Sequence, residues 1–268
     1  MEGKVMGERT DTVFREDLFG GQLALVTGGG TGIGLAIARL LGRLGARVVI
    51  AARSEERLER AAAALRAEGV SASAELLNIR DETQVADVFD RIGSEHGLPD
   101  FLINNAGGQF AAPSLEISAN GFRAVIDLNL NGTWHMCRAY GSRLVEAARP
   151  GRIVNIVLCC ESGMPGMAHA SAARAGVVNL TKTLAYEWAR HGITVNAIAP
   201  GTIETEALAQ YDQETMAKGI AALPIPRMGT PLEVAELTAF LLSSAGSYIT
   251  GALVPLDGGE HLTGASVN

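Results

Sequence analysis

The chain is predicted to be an α/β protein: one doubly wound domain in which a parallel sheet carries helices on both faces, three layers in all. Three observations predict it. Short apolar runs alternate with longer segments of helical period, a pattern that calls for right-handed strand–helix–strand crossovers. A glycine-rich turn stands directly between the first apolar run and the first helical segment. The 268 residues are 47% apolar but only 5% aromatic, so Ala, Val, Leu and Ile must fill the large core between the layers.

Taken in order, strands are expected at Leu23–Thr27, Arg47–Ala51, Ser73–Leu77, Phe101–Asn104, Arg152–Val157, Thr194–Ala199 and Leu253–Leu256. Helices are expected over 32–44, 55–68, 82–96, 119–148, 171–190 and 231–243. Most open beside a capping residue, such as Ser54 before the second helix and Asp81 before the third. No repeat, low-complexity tract or linker interrupts the pattern, so residues 1–268 read as a single domain. Residues 1–20 read as a surface extension in which Leu18 and Phe19 pack down. Residues 202–228 are an insertion after the sixth strand, placed where a lid or binding loop belongs. Tyr211, Met216 and Leu223 are its candidates for lining an apolar pocket; the alternative is an insertion that only packs on the surface.

A net charge of −7 offers no broad basic surface for nucleic acid. The three cysteines, Cys137, Cys159 and Cys160, lack the spacing of a zinc site or a disulfide framework, which suits a reducing cytosol. No metal site is expected. Charges at Glu2, Lys4, Glu8 and Arg9 exclude a signal peptide, and no apolar run is long enough to span a bilayer.

The turn after the first strand reads Thr27-Gly28-Gly29-Gly30-Thr31-Gly32-Ile33-Gly34. A pyrophosphate needs close backbone approach and free N–H donors at a helix N-terminus. Gly28, Gly32 and Gly34 remove the Cβ atoms that would block it, with Thr31 and Ile33 between them. The spacing G-x-x-x-G-x-G differs from the G-x-G-x-x-G fingerprint. With N-N-A-G at 104–107, A-P-G at 199–201 and D-G-G at 257–259, it resembles the short-chain dehydrogenase/reductase family from about residue 20 to 260. The resemblance implies a Rossmann-type, doubly wound, parallel seven-stranded sheet and a nicotinamide cofactor. It places Asn105, Ala106, Gly107, Pro200, Gly201 and Ile203 along that cofactor, with Asn78 touching the adenine. The second strand ends Ala51-Ala52-Arg53, without the carboxylate that would hold a free ribose, and Arg53 offers a planar fork for a 2′-phosphate. NADP(H) is therefore the expected cofactor, against a solvated arginine at a helix start.

Family resemblance also predicts an Asn–Ser–Tyr–Lys catalytic group. Here Arg174 takes the lysine position, Ala170 the tyrosine position, and only Asn129 matches. The pieces F-R-E-D-L-F-G-G-Q at 14–22, N-N-A-G-G-Q-F at 104–110 and A-A-R-A-G-V-V-N-L-T-K at 172–182 resemble peroxisomal trans-2-enoyl-CoA reductases and dienoyl-CoA reductases. In the dienoyl-CoA branch a tyrosine fifteen positions before the Lys/Arg does the work; that position here is Cys159. Ketone reduction needs a well-placed acid, whereas adding hydride to a conjugated thioester makes an enolate that fixed donors can hold. Arg174 and Asn129 are donors of that sort, and Arg174 can alternatively clamp the nicotinamide ribose. His169 has the chemistry for proton transfer but can equally be structural. Cys159 and Cys160 read as reactive or inert thiols, Cys137 as core, and Glu161 and Ser171 as minor pocket residues. Gln109 is expected to face the acyl group.

The insertion reads Glu204-Thr205-Glu206 and Asp212-Gln213-Glu214 with only Lys218 and Arg227 as cations, which disfavours the phosphates of coenzyme A. Three readings stand: an NADPH-dependent reductase of a 2-enoyl thioester, an alcohol/aldehyde oxidoreductase acting on medium-chain or terpenoid compounds, and a non-catalytic NADP(H)-binding protein. The family implies a homotetramer joined through 119–148, 171–190 and the last strand. The ending A-S-V-N is no peroxisomal address, so a cytoplasmic enzyme is expected.

Overall fold

Seven parallel strands form one sheet in the order β3-β2-β1-β4-β5-β6-β7. They are β1 (Leu23–Thr27), β2 (Arg47–Ala52), β3 (Ala72–Leu76), β4 (Phe101–Asn104), β5 (Gly151–Ile156), β6 (Ile193–Pro200) and β7 (Leu253–Leu256). The computed structural model describes residues 13–158, 163–210 and 212–263. Three strands match their expected bounds and the other four differ at their ends by one residue.

Strand side chains alternate between two cores, as a period of two requires. Ala24, Val26, Val48 and Ile50 face α1 (Gly32–Arg43), α2 (Glu55–Ala67) and α8 (Pro231–Leu242). Leu23, Leu25, Val49 and Leu102 face α3 (Glu82–Glu95), α5 (Gly132–Glu146) and α6 (Ala168–Trp188). Phe19 is buried with its ring edge-on to Phe101, so the start of the described chain is pinned to the sheet. No helix among the described residues is long and apolar enough to cross a membrane.

The expected single helix over 119–148 is broken. It consists of α4 (Ala119–Ile126), a π-helical stretch Asp127–Asn131, and α5. The wide turn brings Asn129 to Gly108 (Nδ2–O 2.8 Å), and a Cβ at Gly132 would meet Ile79 Cδ1 at 2.7 Å. The capping expectations divide. Asp81 accepts from the N–H groups of Thr83 and Gln84 at 3.0 and 3.1 Å, whereas Ser54 holds the cap backbone position without a side-chain bond.

The 202–228 insertion holds a 3-10 turn at Glu206–Gln210 and α7 (Gln213–Ala221). Met216 and Leu223 pack with Leu208 and Ile220 in a small core of their own rather than lining the cleft described below, because the insertion must bury its own apolar side chains. Tyr211 lies outside the described residues. The neck is closed by pairing of Ile203 with Gly229. Beside it, Arg227 donates to both carboxylate oxygens of Glu233 at 2.7 and 3.0 Å, and Thr230 forms a reciprocal capping box with Glu233.

The Arg227 guanidinium, above all, holds the Glu233 carboxyl down from 4.5 to about 2. A depressed folded-state value contributes stability above pH 4.5 that is lost as pH falls towards 2. Glu233→Gln is therefore expected to lower stability at pH 7 by up to about 1 kcal/mol, the pair being partly solvated. Urea denaturation should show this deficit shrinking below pH 4.5 and disappearing near pH 2.

Candidate active site

A cleft of about 510 Å³ opens at the carboxyl ends of the strands, where β1 and β4 lie side by side and the chain turns to opposite faces. One wall is the glycine turn. Gly28 and Gly32 adopt φ of +66° and +52°, left-handed values that favour glycine, and both line the cleft with Gly30, Thr31 and Ile33. Thr31 makes no side-chain cap, so the first-turn N–H groups of α1 stay available to an anion.

Gly34 does something else. It is absent from the cleft wall, and a Cβ there would overlap Gly28 O and Asn105 Nδ2. Its role is close packing of helix on turn, a correction to its expected place against the cofactor. The Asn104–Gly107 turn is locked to the same point. The N–H groups of Asn105 and Ala106 donate to Thr27 Oγ1 (3.0 and 3.1 Å), and Asn105 Nδ2 donates to Thr27 O and Gly28 O (3.1 and 3.2 Å). Asn105, Ala106, Gly107, Pro200, Gly201 and Ile203 all line the cleft.

Arg53, just before α2, lines the cleft, and Arg57 in its first turn lines it too. Asn78 does not. Its Oδ1 accepts from the backbone N–H and the Nε of Arg80 at 3.3 Å, while Leu77 and Ile79 face the cleft. Leu77 and Ile79 are buried on either side of a half-buried Asn78, whose carbonyl accepts from the Asp81 N–H at 3.0 Å as the chain leaves β3 in a turn. The residues that could hold a dinucleotide thus fit one: a bare-backbone turn, an uncapped helix end, an apolar slot and two cations.

At the other end Arg174 is buried, Nη1 donating to Ile156 O at 3.0 Å. A Cβ at Gly107 would overlap its Nη2, so that glycine admits the guanidinium to the cleft. Ala170, at the expected tyrosine position, is buried. Asn129 corrects the expectation that it is a donor to substrate. Nδ2 donates to Gly108 O and Val125 O, both at 2.8 Å, and Oδ1 accepts from the Gly108 N–H at 3.2 Å. Its amide is used up in holding the loop. His169 is fully buried against the Phe110 ring and is not part of the cleft wall; burial lowers its pKa, keeping it neutral. Gln109 lines the cleft, Ser171 does not, and Cys159, Cys160 and Glu161 lie outside the described residues. Cys137 is core, its thiol pushed up to about 12 by burial.

Residues not foreseen on the wall include Gly30, Leu77, Ile79, Met164, Met167 and Glu260. Leu77 and Ile79 flank Asn78 and Gly30 lies inside the glycine turn, so a local signal could have found these three; Met164, Met167 and Glu260 converge from distant segments. Among the described residues, the ionisable side chains lining the cleft are Arg53, Arg57, Arg174, Glu206 and Glu260.

Fold and cleft define a dinucleotide-binding oxidoreductase. The family model described as Enoyl-(Acyl carrier protein) reductase matches residues 28–261, and the chain belongs to the short-chain dehydrogenase/reductase family, which binds a nicotinamide cofactor. It is similar to a probable 2,4-dienoyl-CoA reductase of Caenorhabditis elegans, 37% identical over 94% of this chain and 84% of the relative. A probable 2,4-dienoyl-CoA reductase of Bacillus subtilis is 36% identical over 89% and 96% of the two chains. Among solved structures, the citronellol catabolism dehydrogenase AtuB of Pseudomonas aeruginosa is 38% identical, with a TM-score of 0.84 over 94% of this chain and 99% of that one.

Gly107→Ala is expected to displace Arg174 while leaving the fold intact. Steady-state kinetics of the variant should show kcat/KM reduced by about tenfold or more, the loss that follows when a charge-assisted contact is misplaced.

Proposed function

We propose that the chain is an NADP(H)-dependent oxidoreductase that reduces the conjugated C=C of a 2-enoyl thioester. One observation carries the reading: the reaction end of the cleft presents a buried, permanently charged guanidinium, with alanine where a ketone reductase of the family needs its phenol. When bound, the reduced dinucleotide supplies a hydride. The glycine turn and the α1 N-terminus would hold its pyrophosphate, and Arg53 with Arg57 its 2′-phosphate, since Ala51 and Ala52 offer no carboxylate to a free ribose. Arg174, braced by Ile156 O, holds negative charge that develops on the thioester oxygen. Leu158, Met164 and Met167 exclude water and accept an apolar chain, the methionines adapting to its shape. The α-carbon then takes a proton from water.

A second reading is an oxidoreductase of medium-chain or terpenoid alcohols and aldehydes. It is favoured by Glu206 on the cleft wall, and by the two cations of the insertion being already paired, Lys218 with Glu214 and Arg227 with Glu233. The likeness to a citronellol catabolism dehydrogenase points the same way. A homotetramer is the proposed assembly, supported by exposed Phe122, Trp134 and Tyr186 on α4, α5 and α6.

NADPH consumption with crotonyl- and decenoyl-CoA, beside citral and simple ketones, tests the proposal. Turnover of the enoyl thioesters about tenfold or more above the ketones is expected. Turnover of citral alone would transfer the assignment to the second reading, and tight NADPH binding without any turnover would make the chain a binding protein. Separately, Arg53→Asp should move the kcat/KM ratio about tenfold towards NADH, as loss of a charge-assisted phosphate contact requires; an unchanged ratio would remove Arg53 from cofactor choice.

A further inference from the structure

We infer that His169 is a second donor to the substrate carbonyl, a neutral imidazole whose Nε2–H is covered by Phe110 until the substrate takes the ring's place. The inference rests on the enoyl reading and adds a residue to it. His169 is the second residue of α6 and stands immediately before Ala170, the vacant tyrosine position. The backbone N–H of Ala170 donates to its Nδ1 at 2.7 Å. With Nδ1 accepting, the proton of the neutral ring sits on Nε2. That Nε2 is buried and has no hydrogen-bond partner among the described residues. A buried donor left unpaired is costly, and in a native structure it asks for a partner that arrives from outside.

Phe110 is the cover. Its ring meets the imidazole edge-on, with centroids 4.4 Å apart and planes at 74°, yet it is 40% exposed. It follows Gln109, which lines the cleft, and it rests on Gly121 of α4, where a Cβ would meet Phe110 Cζ at 3.0 Å. On the α6 side, Met167 and Ala170 pack with Val125, Leu158 and Met164, and Leu158, Met164 and Met167 belong to the cleft wall. The imidazole therefore lies under Phe110, between Gln109 of the cleft wall and the Met167–Ala170 turn of α6 that packs against Leu158 and Met164 of that wall. Burial alone lowers its pKa, so it serves as a fixed hydrogen-bond donor and not as an acid. With hydride from the reduced dinucleotide forming the new C–H bond at Cβ, the C=C π pair would become the Cα–C1 double bond and the carbonyl π pair would move to the thioester oxygen; Arg174 and His169 hold that oxygen and neither gives up a proton, and water then protonates the α-carbon, restoring the carbonyl and leaving hydroxide.

The test uses His169→Leu and His169→Gln in the full chain, with a chromophoric cinnamoyl-CoA as probe. Bound to the native protein without cofactor, the probe should absorb to the red of its free form, because donors polarise its carbonyl. Gln, which keeps an N–H, should retain the shift, and Leu should lose most of it. Leu should also lower kcat by about tenfold or more with NADPH affinity unchanged, as expected for removing one fixed donor. Thermal denaturation should find the Leu variant at least as stable as the native chain, since an unpaired polar group has been removed. A histidine that only supports the fold would instead lower the melting temperature and leave the shift in place. An unchanged shift and kcat in the Leu variant would overturn the donor and spare the enoyl reading. A shift lost in that variant while the native chain turns over no enoyl thioester would overturn the reading and spare the donor.

Discussion

The site depends on the tie between two strand ends. Thr27 Oγ1 accepts from the N–H groups of Asn105 and Ala106 and donates to Ile103 O at 3.2 Å, while the Asn105 amide returns two bonds to Thr27 and Gly28. This fastens the glycine turn of β1 to the loop leaving β4 at the point where the sheet's crossovers diverge. Everything downstream inherits its position from that tie. Gly34 must be a glycine for α1 to lie against the turn. Gly107, two residues past the tied Asn105, must be one for the Arg174 guanidinium to reach the cleft. Gly108 is then clamped by Asn129 from the other side of the loop.

The clamp accounts for the broken helix. A continuous α-helix over 119–148 would repeat its side chains at a fixed 3.6-residue period; the π-helical stretch 127–131 shifts that phase. The shift sends Asn129 inward, fully buried, with both amide hydrogens on backbone carbonyls. Thr133 Oγ1 donates to Asn129 O at 2.8 Å, so the carbonyl in the disturbed turn is satisfied as well. A position that family resemblance would read as catalytic is here a brace. The chemistry it would have supplied must come from groups that are not already saturated.

How much of this was legible in the sequence depended on range. Strands and most helices were, because a buried parallel strand is an apolar run and an amphipathic helix repeats its pattern locally. The glycine turn was, because conformation and backbone approach both restrict it to small residues. The break in the 119–148 helix was not, because its cause is Gly108, 21 residues upstream of Asn129. The same holds for Gly34, whose neighbour Asn105 is tens of residues away, and for Met216 and Leu223, whose partners decide whether they face a cleft or each other. Asn78 lies off the cleft wall for a local reason: its apolar neighbours Leu77 and Ile79 are the buried residues that line it.

What the cleft retains is fixed charge. Among the described residues lining it, three guanidiniums and two carboxylates carry the ionisable chemistry, and an arginine keeps its proton throughout the physiological range. Reducing a carbonyl couples hydride arrival to protonation of the same group's oxygen, so a wall of such residues leaves the developing alkoxide without a donor that can let its proton go. Reducing a conjugated double bond separates the events: charge spreads to an oxygen that needs only to be held, and the proton reaches carbon later from water. Holding is what a buried guanidinium does well, because its position is set by Ile156 O before the substrate arrives and no reorganisation is needed as charge develops. On the proposed reading, Ala170 where the family resemblance expects a tyrosine and Arg174 where it expects a lysine would both move the site in one direction, from passing protons to stabilising anions, and that shared direction is what links the two positions to the reaction proposed for the chain.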